Sequence, residues 1–301
     1  MNRGRVSGGG RSGAPITRRM DRLDRLRKII GFLVALTVAV AQLVSGAQPA
    51  TADDRGDPRS EGAEVFRGWG FDTCQAPSLS AMRAWRASDY RAVGVYFAGR
   101  ARACPRQTYL SASWLADADD LGWRMLPIFV GSQSPCVKAG HKRGFSISSY
   151  DPYGQGQEEG HEAADRAGAL GIARRSPLYL DMEAYDQYNS SCARTTLSFV
   201  RGWSSTVRSR GYLAGFYSSA DSGVRHMERA RRNGTGGLPD LMWFARWQVP
   251  ASTSGEPVLS RSAWTPHRRI HQYRGNVTET HGGRRITIDR NLVDAPVAII
   301  D

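Results

Sequence analysis

The chain has 301 residues, with 41 Lys and Arg against 28 Asp and Glu, for a formal charge of +13. Residues 1–52 hold nine of the basic and two of the acidic residues, which leaves +6 for residues 53–301. That modest excess suits a protein working against an anionic cell envelope. With no zinc-finger spacing, basic recognition helix or aromatic RNA motif in view, it excludes the common nucleic-acid binders.

The apolar run from Ile29 to Val44 follows a basic segment (Arg22, Arg25, Arg27, Lys28) and precedes the small-x-small triplet Ala50-Thr51-Ala52. This is the pattern of a secretory signal peptide spanning 1–52, with Met20 as an alternative start. An uncleaved anchor is the competing reading, but the run falls short of the roughly 20 residues a membrane span needs. Thr17-Arg18-Arg19 points to twin-arginine export, whereas Asp21 and Arg22 stand where that signal prefers apolar residues, so Sec and Tat both stay open. Either route leads outside the cell or to the envelope. Four cysteines behind such a leader (Cys74, Cys104, Cys136, Cys192) favour two disulfides. A zinc site would want close ligand pairs such as C-x-x-C.

After a polar lead-in expected to be flexible (residues 53–64), strand and helix patterns alternate through a domain at 65–301. Strands are expected at Trp69–Thr73, Ala92–Ala98, Met125–Val130, Leu178–Glu183 and Leu213–Ser218. Helices are expected near Ser78–Ala87, Ser113–Leu121, Glu158–Leu170 and Thr195–Arg210, with a short Arg-rich one ending near Asn233-Gly234. A long loop, Ser132–Gln157, precedes the third helix. Strands at Leu241–Trp247, Arg269–Tyr273 and Arg285–Asp289 then follow with little helix between them. Eight strands and five helices in repeating βα units call for an α/β fold with a parallel sheet closed into a TIM-type barrel. An open doubly wound sheet is the alternative, weakened by the lack of a Gly-rich phosphate loop after the first strand.

In such a barrel the active site lies at the C-terminal ends of the strands, and the polar strand residues gather there. Asp72 ends the first strand, Asp181 and Glu183 the fourth, and Asp289 the eighth. Asp181 and Glu183 stand at i and i+2, so their side chains project to one side, about 6–7 Å apart at Cβ by strand rise. Tyr217, Trp243, Trp247 and Gln272 join them. Aromatic faces stack on pyranose rings and carboxylates accept hydroxyl hydrogen bonds, so this is a sugar-binding composition. It is also an acid/base composition: clustered carboxyls cannot all ionise, and one left protonated can donate to a glycosidic oxygen. The bland reading is that strand-end acids cap helices or pair with Arg. Trp69, Trp85, Trp123 and Trp203 read as packing, and His161-Glu162 lacks the second His of a zinc-protease helix. No metal or organic cofactor is implied, and a monomer is expected.

The segments "GFDTCQAPS", "LYLDMEAYD", "WFARW", "HQY" and "ITIDRN" closely resemble an actinobacterial family of exported glycoside hydrolase-like proteins, over about Phe66 to Ala298. More distantly they are similar to glycoside hydrolase family 25, the Chalaropsis-type lysozymes. The resemblance implies a (β/α)₅β₃ barrel, Glu183 as general acid, and Asp181, Asp72 and Asp289 as the accompanying acids. It further implies that Trp243 and Gln272 line the groove. His271 departs from the lysozyme pattern, which usually has Trp there; the Ser132–Gln157 loop and the cysteines are not part of that pattern either. With the barrel's strand order, the cysteines would pair as Cys74–Cys104 and Cys136–Cys192. The expected function is hydrolysis of a cell-wall glycan, peptidoglycan first, in the manner of a muramidase. The alternative is a non-catalytic envelope protein that binds glycan or regulates wall synthesis from the same barrel.

Overall fold

The computed structural model describes residues 55–301; the expected signal peptide lies outside the described residues. Eight strands close into a barrel in chain order. They are β1 (Glu64–Asp72), β2 (Ala92–Ala98), β3 (Arg124–Phe129), β4 (Pro177–Asp181), β5 (Leu213–Ser219), β6 (Leu241–Ala245), β7 (Arg269–His281) and β8 (Arg284–Val297). β1 to β7 run parallel, while β8 is antiparallel to both β7 and β1. Five α-helices, one after each of the first five strands, cover the outside: α1 (Leu79–Trp85), α2 (Ala112–Asp120), α3 (Pro152–Ala169), α4 (Ser190–Ser209) and α5 (Arg225–Arg232). The TIM-type expectation holds, and closure excludes the open sheet.

The period of two along each strand divides the apolar residues into two cores. Outward residues such as Phe71, Val93, Met125, Leu178, Leu180 and Phe216 pack under the helices. Inward residues such as Leu126, Ile128, Tyr179, Leu241, Trp243, Ile270 and Val293 fill the barrel. Trp85, Trp123 and Trp203 are fully buried, as packing residues should be. Phe71 gathers Trp85, Tyr90 and Trp123 at centroid distances of 5.0, 5.6 and 5.7 Å, the tilted and edge-on geometries that aromatic quadrupoles prefer.

Helix starts follow side-chain capping. Ser78, Ser111 and Asn189 accept from Ala81, Trp114 and Cys192 backbone N–H groups. α3 begins six residues before the expected Glu158, at Pro152, with Asp151 as its cap. The glycines that make this stretch look like loop have a packing use: a Cβ on Gly156 would stand 2.2 Å from the Phe199 carbonyl of α4. His161 is exposed on α3. β1 and β8 also run longer than expected. They pair in register from Glu64↔Val297 to Asp72↔Asp289, and β7 and β8 continue beyond the barrel as an exposed hairpin turning at Gly282-Gly283.

Both disulfides take the expected pairing, Cys74–Cys104 and Cys136–Cys192, with Cα separations of 5.7 and 5.8 Å. Among the described residues no helix is long and apolar enough to cross a membrane. At the N-terminal end of the barrel, residues 55–61 lie against the strands. A 3₁₀ turn, Pro58–Glu61, is capped by Asp57; Arg55 pairs with buried Asp240, and fully buried Arg268 bonds the Arg55 and Gly56 carbonyls and Glu61.

Candidate active site

Strand alternation delivers the four predicted acids to the C-terminal mouth of the barrel. Asp72, Asp181, Glu183 and Asp289 line one cavity of about 660 Å³. The β1–β8 register sets Asp72 directly opposite Asp289, a cross-strand position where like charges repel. Space for Asp72 comes from Gly94 on β2, where a Cβ would meet the Asp72 Cβ at 2.5 Å.

Asp72 is the hub of a buried polar network. Its Oδ1 accepts from the Tyr96 hydroxyl at 2.8 Å. Its Oδ2 accepts from Gln272 Nε2 at 3.0 Å and from Asn291 Nδ2 at 2.8 Å. Both amides are oriented by donors behind them. Trp247 Nε1 and the Tyr217 hydroxyl donate to Gln272 Oε1 at 2.9 and 3.0 Å, and Trp243 Nε1 donates to Asn291 Oδ1 at 2.9 Å. Burial, and next the charge of Asp289, push the Asp72 carboxyl up to about 7. The three donors pull the other way and are outweighed.

Asp181 is buried, and its Oδ1 has no hydrogen-bond partner within the protein. Burial raises its carboxyl well above the usual range, with Glu183's charge acting in the same sense and Lys142 opposing. Asp289 is also raised, by burial and by Glu183, although it accepts the Asn276 N–H at 2.6 Å. A carboxyl cluster crowded by burial and mutual charge therefore holds protons that isolated acids would have released.

Glu183 is half-buried just past the end of β4. It lines the large cavity and also a second one, of about 400 Å³, whose wall includes Tyr217, Arg246 and Trp247. Its position is set by Gln133, which donates to the Asp181 carbonyl at 2.9 Å and accepts the Glu183 N–H at 2.9 Å. The loop after β3 is held there by a bridge between Val137 and Tyr185 and by Cys136–Cys192. Arg246 is clamped by Asp221 and Glu256 through four hydrogen bonds of 2.8–2.9 Å.

Of the predicted sugar contacts, Tyr217 and Trp247 line the second cavity, and Trp247 is 44 % exposed. Trp243 and Gln272 do not line a groove. Both are buried, because β6 and β7 turn those positions into the barrel beneath the cup floor. They support the cup floor from below, Gln272 through Asp72 and Trp243 through Asn291. His271, paired with Phe244 across β6 and β7, points outward: it stacks on Phe244 at 4.6 Å and bonds the Arg246 carbonyl and the Ser252 N–H. Sequence reasoning missed Tyr96, Gln133, Asn276 and Asn291. Asn291 carried a signal, standing two residues after Asp289 and so on the same face. Gln133 lies in irregular loop and carried none. Among the described residues no group of three or more His, Cys, Asp or Glu is arranged to hold a metal ion.

The model of the Rv2525c-like, glycoside hydrolase-like domain matches residues 83–293. The chain belongs to that family. Among solved structures, an uncharacterized B. stearothermophilus protein is 18 % identical, with a TM-score of 0.48 over 75 % of this chain and 95 % of its own. The Mycobacterium tuberculosis Tat-secreted protein Rv2525c, solved with L-tartrate, is 18 % identical, with a TM-score of 0.47 over 76 % and 96 %. The Streptococcus pneumoniae modular autolysin LytC is 12 % identical, with a TM-score of 0.47 over 75 % of this chain and 46 % of its own. Comparison with curated proteins finds no match.

Proposed function

We propose that the protein is an exported glycan hydrolase of the cell envelope with peptidoglycan as its substrate, and that Glu183 is its general acid. The observation that carries this reading is the place of Glu183, on the wall of both cavities at the barrel mouth. A glycan laid across the mouth would have sugar units in each cavity and a glycosidic oxygen beside that carboxyl. Burial holds the neighbouring Asp181 carboxyl toward its neutral form. Glu183 donates its proton to the glycosidic oxygen as that bond breaks, and the Asp289 carboxylate stabilises the positive charge that develops on the sugar ring. Asp72, with both oxygens engaged by Tyr96, Gln272 and Asn291, positions the floor and does not reach the sugar.

The test is incubation of the oxidised protein, residues 53–301, with insoluble peptidoglycan, scoring released reducing ends by mass spectrometry. Wild type should release fragments, and Glu183→Gln should lower release by at least roughly a hundredfold. Sedimentation of both proteins with the wall and no release from either would replace the hydrolase by a glycan-binding module.

A further inference from the structure

The large cavity holds cations as well as acids. Lys142, Arg102 and Arg285 line it together with the four carboxyls. Other basic side chains are paired with carboxylates: Arg246 with Asp221 and Glu256, Arg290 with Glu279, Arg231 and Arg232 with Glu228. Lys142, Arg102 and Arg285 make no ion pair among the described residues. Lys142 is 4 % exposed, and its ammonium donates to the Ala101 carbonyl at 2.6 Å. Arg102 donates to the Gly99 and Tyr96 carbonyls, both at 3.2 Å. The two cationic heads thus hang from one short stretch of backbone, from Tyr96 at the end of β2 to Ala101 just past it. Burying a charge against neutral carbonyls is unfavourable compared with pairing it, and neutral donors would serve those carbonyls equally well. Burial holds Asp72 and Asp181 toward their neutral forms, which lowers the negative charge that the cavity sets against these cations. The stretch carrying Arg102 is tied to β1 by Cys74–Cys104, and the loop carrying Lys142 is tied to α4 by Cys136–Cys192.

We propose that Lys142 and Arg102, with Arg285 from the β7–β8 hairpin, form a subsite for an anionic group, a carboxylate or a phosphate, carried by the glycan. This rests on the glycan reading of the mouth and narrows it to acidic glycans. An ammonium with unused donors and a guanidinium beside it meet such a group by charge-assisted hydrogen bonds.

The test is calorimetric titration of the oxidised protein, residues 53–301, at low salt. One pair of probes is the N-acetylglucosamine–N-acetylmuramic acid disaccharide with its free carboxylate, and the same disaccharide with that carboxylate as a methyl amide. A second pair is the N-acetylglucosamine disaccharide with and without a 6-phosphate. At least one anionic probe should bind roughly tenfold more tightly than its neutral partner, and the advantage should shrink toward about 0.3 M salt. The pair with the larger gain distinguishes carboxylate from phosphate. Lys142→Met and Arg285→Gln should each bring the anionic probe down to the affinity of the neutral one; Arg285 is exposed, so its variant tests the subsite even if Lys142→Met fails to fold. Equal affinity within both pairs would overturn the proposal and leave the glycan reading standing. Binding of no probe would overturn both.

Discussion

Asp72 accepts three hydrogen bonds and is nevertheless pushed up to about 7, because burial and Asp289 outweigh its donors. The folded chain therefore keeps a proton that the unfolded chain, with an aspartate near 3.9, has already lost. Its contribution to stability is full below about pH 4 and is lost as pH rises to about 7, on the order of 4 kcal/mol. Asp72→Asn, neutral at every pH, should gain on wild type in urea denaturation between pH 5 and pH 8. An equally steep decline in both proteins would refute this account. Gln133 has a different role, since its amide joins the Asp181 carbonyl to the Glu183 N–H. Gln133→Leu strands both groups and should cost about 1–3 kcal/mol, with fragment release falling further than stability does. A variant that loses stability alone would detach Gln133 from the positioning of Glu183. The acids of this network were legible in the sequence because charged residues at strand ends violate strand composition. Tyr96 and Gln133 were not, because they are ordinary residues until another strand is laid beside them.

At the scale of elements, the strand cores were legible from their period of two, and the misplacements have specific causes. β6 ends at Ala245, so Trp247 lies beyond the pleat and swings to the rim, while Trp243 stays inside against Tyr179 and Tyr217 at 5.3 and 5.6 Å. The motif "WFARW" therefore supplies one buried support and one ring at the rim. Trp247→Ala should weaken glycan binding by roughly tenfold, about 1.4 kcal/mol, and leave the melting temperature nearly unchanged, because the ring is 44 % exposed. Unaltered affinity would place the glycan elsewhere on the mouth. α3 was cut short in the sequence reading because its glycines resemble loop until α4 is seen to need their lack of a side chain.

For the whole molecule, the N-terminal segment closes the bottom of the barrel. Arg268 is fully buried, and its partners there are the Arg55 and Gly56 carbonyls and Glu61. A chain beginning at Ala63 leaves that guanidinium without them and should lose about 3–5 kcal/mol, read as a lower urea midpoint. A midpoint equal to that of residues 53–301 would show the segment to be dispensable.

By itself the sequence determined the alternating βα order, the eight strands and the acids at their ends, because period and composition are local properties of the chain. The cysteine pairing needed a strand order as well. Tertiary structure alone decided which acid keeps a proton. The β1–β8 register sets Asp72 against Asp289, and burial leaves Asp181 without a partner for Oδ1. It also decided that Glu183 is the acid shared by two cavities. Protonation and access depend on what surrounds a residue, and those surroundings here come from segments more than two hundred positions away, as Asn291 does for Asp72.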